Sequence, residues 1–228
     1  MGADFESDAK FNNVKFIDKA DFHSTIFLGE SGFAGTTFKK VSFSEAGFSK
    51  EANFRQVIFV DEAEFSDTIF CSGADYHRSI FSTEAYFSSI FKSETFFNYV
   101  RFENPNKITF ESEDMSNVSF FDSDITKIRF GSKVKWGNEG FTIIEEKWLM
   151  DKLSNKPTEE RNNDKGQSVN TELVLSVYRN LRENYEFRLR YGDAGKFFIK
   201  EMELKRKYRE APSASSVFKR KLIQLLKK

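Results

Sequence analysis

Phenylalanine recurs along the first hundred residues, in most steps after five or six residues, and this spacing restricts the fold more than any other feature. The aromatic positions, one of them a Tyr, are Phe5, Phe11, Phe16, Phe22, Phe27, Phe33, Phe38, Phe43, Phe48, Phe54, Phe59, Phe65, Phe70, Tyr76, Phe81, Phe87, Phe91, Phe97 and Phe102. A helix repeats every 3.6 residues or so and a flat strand about every two, so neither produces this period. The chain is therefore predicted to turn a corner every five or six residues and to form a solenoid.

A second column of small or β-branched residues lies two positions before each aromatic. Its members are Ala9, Val14, Ala20, Thr25, Ser31, Thr36, Val41, Ala46, Ala52, Val57, Ala63, Thr68 and Ala74. Residues two apart on an extended segment point the same way, so both columns are predicted to face the inside of the coil. The rhythm breaks near Pro105, where we expect a loop at a corner, and resumes from Phe110 to Phe130.

The unit resembles the Ala-(Asp/Asn)-Leu-x-x repeat of the pentapeptide-repeat family, with an aromatic in place of Leu. The matching segments are Ala20-Asp21-Phe22, Ala52-Asn53-Phe54, Ala63-Glu64-Phe65 and Ala74-Asp75-Tyr76. The resemblance implies an all-β, right-handed quadrilateral β-helix with four short faces per coil, over about residues 3–130. A sixth residue at many corners departs from the family pattern and lengthens one coil to 21 or 22 residues.

Helical patterns replace the repeat in the C-terminal part of the chain. The predicted divisions are a β-solenoid over residues 1–140, a capping helix over 141–156, a linker over 157–170, and a helical hairpin with a basic amphipathic tail over 171–228. Within the capping segment, Ile144 to Leu153 is expected to lie across the solenoid end. In the hairpin, Glu172 to Tyr191 and Ala194 to Tyr208 show helical spacing, and Gly192-Asp193 is predicted to stop the first helix and cap the second.

The sequence predicts a cytoplasmic protein with neither a disulfide nor a membrane span. Cys71 is the single cysteine, so no intrachain disulfide can form. No stretch of about 18 apolar residues is present, and the N-terminal residues lack the basic and apolar regions of a secretory signal. Residues 1–150 carry 24 acidic and 16 basic side chains, whereas residues 151–228 carry 11 acidic and 19 basic.

The sequence contains no arrangement of residues that predicts catalysis, a metal or a cofactor. The two histidines, His23 and His77, each follow a core aromatic and lie ten faces apart, which places them on opposite sides of a four-faced coil. Cys71 also follows a core aromatic and is predicted to be a surface thiol. No phosphate-binding glycine pattern, paired cysteine ligands or nucleophile elbow occurs. We therefore predict a non-enzymatic protein.

Isoleucine recurs at the outward position just before the core aromatic, notably at Ile58, Ile69, Ile80 and Ile90. The face count predicts that Ile69 and Ile90 stack on one side in successive coils, and that Ile58 and Ile80 stack on the opposite side. Two interpretations remain open. The isoleucines either reflect the β-propensity of an exposed strand, or form an apolar stripe that seats the tail helices or a protein partner.

The C-terminal segment is both basic and amphipathic. Its candidate contact residues for a membrane or another anion are Phe218, Lys219, Arg220, Lys221, Lys227 and Lys228. A solvated helix face, an anionic lipid surface, and a nucleic acid or acidic protein are the three interpretations. The hairpin segment 177–203 also looks like a helical segment that follows Phe-rich pentapeptide repeats in some archaeal and bacterial proteins. In several of these, membrane helices come next, and that resemblance implies attachment to the inner face of the membrane.

The function that we expect is an interaction scaffold for an unidentified protein partner. The family resemblance implies one alternative, a DNA-mimicking inhibitor or protector of a type II topoisomerase. Residues 1–102 carry 15 acidic and 10 basic side chains, a weak excess for such mimicry. Direct nucleic-acid binding is not expected. The repeat begins at Phe5 without a capping segment, so we expect either a homodimer through a solenoid end or a longer natural chain.

Overall fold

The computed structural model describes residues 2–137, 141–154 and 169–208. The chain forms a β-solenoid of about six turns followed by three helices. Strands of successive turns pair in parallel and in register, so that Phe27 pairs with Phe48 and Phe48 with Phe70. The predicted fold of stacked coils with four faces is thus confirmed.

The strands are short, and most contain two or three residues. The first face consists of Asp4–Phe5, Ile26–Phe27, Gly47–Phe48, Ile69–Phe70 and Ile90–Phe91. The second face consists of Ala9–Lys10, Ser31–Gly32, Ala52–Asn53, Ala74–Asp75, Thr95–Phe96 and Val118–Ser119. The third and fourth faces share one sheet, because Lys15–Asp21 and Thr37–Ser42 run around the corner between them. The other strands of this sheet are Ile58–Phe59, Ile80–Phe81 and Arg101–Phe102 on the third face, and Ala63–Phe65, Ala85–Phe87, Ile108–Phe110 and Arg129–Phe130 on the fourth.

Each face contributes one stack of aromatic rings to the core. In the second face, the ring centroid of Tyr76 lies 4.8 Å from that of Phe54 and 4.4 Å from that of Phe97, with nearly parallel planes. Rings of different faces meet edge to face, as Phe54 and Phe65 do at 5.8 Å and 89°. Parallel strands repeat about every 4.8 Å, so stacked rings and hydrogen-bonded strands share one period. Both arrangements are favourable for aromatic pairs.

The small column faces the interior as predicted, and several of its hydroxyl groups donate to corner carbonyl groups, although the buried Ser31 Oγ has no hydrogen-bond partner among the described residues. Thr68 Oγ1 donates to the carbonyl oxygen of Phe43 at 2.9 Å, and Ser89 Oγ donates to that of Phe65 at 3.0 Å. A buried hydroxyl would be costly without such a partner. Val14 differs from the rest of this column because it is 38% exposed in the first coil.

Positive φ angles at two corners of most coils explain the alternation of five and six residues. The residues with positive φ that follow a second-face or fourth-face aromatic by two positions are Asn13, Ser24, Gly35, Glu45, Gln56, Asp67, Arg78, Tyr99 and Asp122. Five-residue steps such as Phe54 to Phe59 cross these corners, because a left-handed residue turns the chain tightly. The six-residue steps, such as Phe48 to Phe54, cross the other two corners, where the five-residue step from Phe38 to Phe43 is an exception. The break near Pro105 is a short 3₁₀ turn, Pro105–Lys107, at one of these.

Three helices follow the solenoid: α1 is Ile144–Leu153, α2 is Thr171–Phe187 and α3 is Tyr191–Lys207. The helix predicted from Ile144 to Leu153 has those bounds. Asn170 caps α2 by accepting a hydrogen bond from the main-chain nitrogen of Leu173 at 2.9 Å. It is one of only two residues of the predicted linker that the structure describes.

The predicted break between the hairpin helices at Gly192-Asp193 is wrong. The chain turns at Leu189, whose φ of 59° lies in the left-handed region. Gly192 and Asp193 instead belong to the first turn of α3. Asp193 Oδ2 lies 2.9 Å from Arg190 Nη2, and this ion pair stabilises the start of α3 at the turn. An αL residue other than glycine can end a helix at a modest energetic cost.

The expectation that α1 lies across the solenoid end is also corrected. Trp148 of α1 stacks on Phe96 with ring centroids 5.9 Å apart, on the outside of the second face. Phe96 precedes the core residue Phe97 and therefore points outward, where its ring packs against α1. The hairpin, not α1, covers the last coil, because Asn184 of α2 donates to the carbonyl oxygens of Ile125 and Ile128 at 2.6 and 2.8 Å.

Candidate interaction surfaces

The isoleucines singled out in the sequence form two separate columns, which lie on opposite faces. Ile69 pairs with Ile90 on the first face, and Ile58 pairs with Ile80 on the third face. The predicted stacking within each pair is confirmed. Ile90 is 51% exposed and Ile58 is 38% exposed. The structure therefore places the four residues on two surfaces and does not bring them into one site.

Further apolar side chains extend both columns. On the first face, Ile26 is 43% and Leu28 46% exposed, and Gly47 lies between Ile26 and Ile69 in the register. On the third face, Val60 is exposed beside Ile58. We call these surfaces the first-face column (Ile26, Leu28, Ile69 and Ile90) and the third-face column (Ile58, Val60 and Ile80). A core fixed by stacked rings holds each column at the regular spacing of the coils.

The described helices pack elsewhere on the solenoid. The hairpin is seated on the last coil by Asn184 and by Arg190, whose guanidinium donates to the carbonyl oxygens of Phe130 and Gly131 at 3.0 and 3.1 Å. Helix α1 lies against the second face. Of the two roles that the sequence suggested for the isoleucines, seating of α1, α2 or α3 does not match these contacts. Contact with a partner stays a prediction.

The first coil exposes an edge of the sheets. Asp4–Phe5, Ala9–Lys10 and Lys15–Asp21 each pair with a strand on one side only. Ile17 is 74% exposed at this edge, and Phe5 and Phe11 are only partly buried. Unpaired strand edges are surfaces on which another chain can add. Contact between two copies through a solenoid end also stays a prediction. The first coil is the end available for it, because the hairpin covers the last coil.

The two histidines and the cysteine lie where the sequence placed them. His23 is exposed beside the fourth face, and His77 is partly buried beside the second face. Burial lowers the pKa of His77. Cys71 is an exposed thiol. Among the described residues, no group of three or more His, Cys, Asp or Glu side chains is arranged to hold a metal ion.

A buried polar cluster between α1 and the second face was not predicted. Glu145 is fully buried, and one carboxyl oxygen lies 2.6 Å from Ser119 Oγ. Burial raises the pKa of Glu145 to about 7. The adjacent Glu146 accepts a hydrogen bond from the hydroxyl of Tyr178 and lies 3.7 Å from Lys200 Nζ. No sequence signal distinguishes these acids from the solvated acids that commonly begin a helix.

The basic tail residues Phe218, Lys219, Arg220, Lys221, Lys227 and Lys228 lie outside the described residues. No helix in the described part of the chain is long and apolar enough to cross a membrane.

Comparison with known proteins gives no assignment. No family model matches this sequence, and the comparisons with curated proteins and with solved structures also return no match.

Proposed function

We propose that this chain is a non-enzymatic scaffold whose solenoid presents an exposed apolar column to a protein partner. The observation that carries the proposal is the pairing of Ile69 with Ile90 and of Ile58 with Ile80 on faces that the described helices leave uncovered. Single exposed apolar residues are ordinary, but apolar residues aligned over successive coils form a continuous surface. We also propose that the repeat belongs to the pentapeptide-repeat type, on the residues quoted above.

The core supports this role because it fixes the surface before any partner binds. Phe70 stacks on both Phe48 and Phe91 beneath the first-face column, with ring centroids 5.0 and 5.7 Å apart. Phe59 stacks on Phe81 at 4.4 Å beneath the third-face column. Binding to a surface that is already ordered costs less conformational entropy than binding to a flexible one.

The charge pattern favours this proposal over DNA mimicry, which needs a continuous acidic face. On the corner between the third and fourth faces, Lys19 pairs in register with Lys40. Lys40 in turn forms an ion pair with Glu62 of the next coil. On the second face, Arg55 lies 3.8 Å from Asp75. Basic side chains thus interrupt the acidic ones on both surfaces.

The test is affinity capture of partners by the full chain and by two double variants. In one variant Ile69→Lys and Ile90→Lys place two charges on the first-face column, and in the other Ile58→Lys and Ile80→Lys charge the third-face column. A partner on one column should be lost from the corresponding variant by about tenfold or more, since a buried unpaired charge is costly. The same partner should stay bound to the other variant.

A matched control separates loss of the apolar surface from added charge. Ser42→Lys and Thr109→Lys add two lysines at the same outward position on the fourth face, just before Phe43 and Phe110. This control should retain the partner. Far-ultraviolet circular dichroism should show that all three variants fold. If both isoleucine variants bind every partner as the unaltered chain does, the proposal is wrong.

The basic C-terminal tail has the sequence of a membrane-binding segment. We propose that Lys219, Arg220 and Lys221 attract an anionic lipid surface while Phe218 inserts, holding the scaffold at the inner face of a membrane. Sedimentation of the full chain with anionic vesicles should be reversed by salt and absent with neutral vesicles. The charge-reversed variant Lys219→Glu with Lys221→Glu should remain in the supernatant. Equal sedimentation of the variant would contradict the proposal.

A further inference from the structure

The hydroxyl of Ser119 has more acceptors around it than it has protons. Ser119 Oγ lies 2.6 Å from Asn98 Oδ1 and also 2.6 Å from Glu145 Oε1. Ser119 and Glu145 are both fully buried. A serine hydroxyl carries a single proton and can donate only one hydrogen bond. In one of the two contacts, the proton must therefore come from Asn98 or Glu145 and not from Ser119.

The main chain decides which atom of Asn98 faces Ser119. The main-chain nitrogen of Phe121 donates to Asn98 Oδ1 at 3.2 Å. If the amide were reversed, its NH₂ group would face the N–H of Phe121, and two donors would oppose each other. Asn98 Oδ1 is thus an acceptor, and the proton of Ser119 lies between Ser119 Oγ and Asn98 Oδ1.

Glu145 must then supply the proton of its own contact. With the Ser119 proton directed at Asn98, Ser119 Oγ can only accept from Glu145. A carboxylic acid can donate this hydrogen bond, whereas a carboxylate would place two lone pairs 2.6 Å apart in a buried site. The second carboxyl oxygen, Glu145 Oε2, is buried without a partner at hydrogen-bond geometry, which also disfavours a charge there. Burial raises the pKa of this carboxyl, and its effect is larger than that of the main-chain N–H groups of Glu145 and Phe120, which lower the pKa.

The charged and polar groups near Glu145 have partners other than its carboxyl group. On α1, Lys147 Nζ donates to the carbonyl oxygen of Ser116 at 3.1 Å. From α3, Lys200 pairs with Glu146, and from α2 the hydroxyl of Tyr178 donates to that same residue. On the second face, the indole of Trp148 donates to Glu94 at 3.1 Å. Within the described residues, Glu145 has no cation at ion-pair distance.

We propose that Glu145 is a neutral acid when α1 is docked, and that its ionisation releases α1 from the second face. The released helix would uncover the ring of Phe96, on which Trp148 stacks. The second face near the hairpin would thereby change from a covered surface to an exposed aromatic one as pH rises.

The direction of the pH dependence follows from the linkage between protonation of Glu145 and docking of α1. The ordinary pKa of the Glu145 carboxyl is 4.5, and burial raises the pKa to about 7 in the docked state. The docked state thus binds the proton more tightly than the released state. Docking is fully favoured below about pH 4.5, weakens as pH rises through this interval, and stays at its weakest above about pH 7. The opening equilibrium should rise by roughly two orders of magnitude across it.

The test is hydrogen exchange of the α1 amides in the full chain between pH 5 and pH 8, corrected for intrinsic exchange rates. Protection of residues 144–153 should fall by roughly a hundredfold, while α2 in the same molecule keeps its protection. In Glu145→Gln, an uncharged isostere, the α1 profile should be flat. Glu146→Gln is the matched control and should keep the slope of the unaltered chain.

An infrared titration keeps the proposal testable if Glu145→Gln does not fold. At pH 6 the unaltered chain should show the carbonyl band of a protonated carboxylic acid, which should vanish as pH is raised to 8. Absence of this band would overturn the proposal. A pH-independent α1 profile in the unaltered chain, or an unchanged slope in Glu145→Gln, would overturn it too.

Discussion

The indole nitrogen of Trp136 donates a hydrogen bond of 2.9 Å to the hydroxyl oxygen of Tyr185, and both side chains are buried. Trp136 lies just beyond the last coil, and Tyr185 lies on α2. The ring of Tyr185 also stacks on Phe130, the last aromatic of the fourth face, with centroids 6.1 Å apart. The hairpin thus continues the aromatic core of the solenoid and supplies a polar contact at its end.

Tyr185→Phe should destabilise the protein by about 1–3 kcal/mol, because it leaves the Trp136 N–H buried without an acceptor. Urea denaturation followed by tryptophan fluorescence measures the loss. Tyr191→Phe is the control, since Tyr191 is 65% exposed on α3, and it should change stability little. Equal stability of Tyr185→Phe and the unaltered chain would show that this hydrogen bond contributes nothing.

Tyr76→Phe should have the opposite effect and stabilise the solenoid by about 1–3 kcal/mol. Tyr76 occupies a Phe position in the second-face stack, where its hydroxyl is buried and has no hydrogen-bond partner. Burial accordingly raises the pKa of Tyr76 far above its ordinary value. Thermal or urea unfolding tests this prediction. A lower stability for Tyr76→Phe would indicate that the hydroxyl has a partner in solution.

Gly73→Ala should destabilise the solenoid by at least about 1–3 kcal/mol. Gly73 has a φ of +90°, and a Cβ there would lie 2.0 Å from the carbonyl oxygen of Glu94 in the next coil. Gly47→Ala is the matched substitution, because Gly47 lies in a strand with no atom within 4 Å of an added Cβ. That change should stabilise by about 0.5–1 kcal/mol. The same sign for both substitutions in urea denaturation would contradict this account.

Leu189→Gly should stabilise the hairpin by about 0.5–1 kcal/mol. Leu189 is 71% exposed and holds a left-handed φ of 59° between α2 and α3, so its side chain loses little contact on removal. Helical circular dichroism during thermal unfolding gives the measurement. Leu189→Ala is the control, since alanine keeps the strained φ and should bring no gain. A gain with alanine as large as that with glycine would attribute the effect to the lost side chain.

The repeat predicts the placement of the isoleucines and histidines on the solenoid, but not the contacts of α1. Counting faces placed Ile69 beside Ile90 and put His23 and His77 on opposite sides, because residues one coil apart meet at a fixed separation in the sequence. The contacts of α1 with Phe96 and of Glu145 with Ser119 follow no such period. A Glu in the first turn of a helix is ordinarily solvated, and only the docked position of α1 makes Glu145 a buried acid.

The pattern of amino acids predicted the four-faced solenoid, the two inward columns and the bounds of α1. It could do so because each coil contacts only its neighbours, so that one short-range rule repeats along the chain. The pattern did not predict that the hairpin turns at Leu189, nor that Asn184 donates to the carbonyl oxygens of Ile125 and Ile128. These contacts join residues more than 50 positions apart. Each occurs once in the structure, so no repeating sequence pattern predicts it.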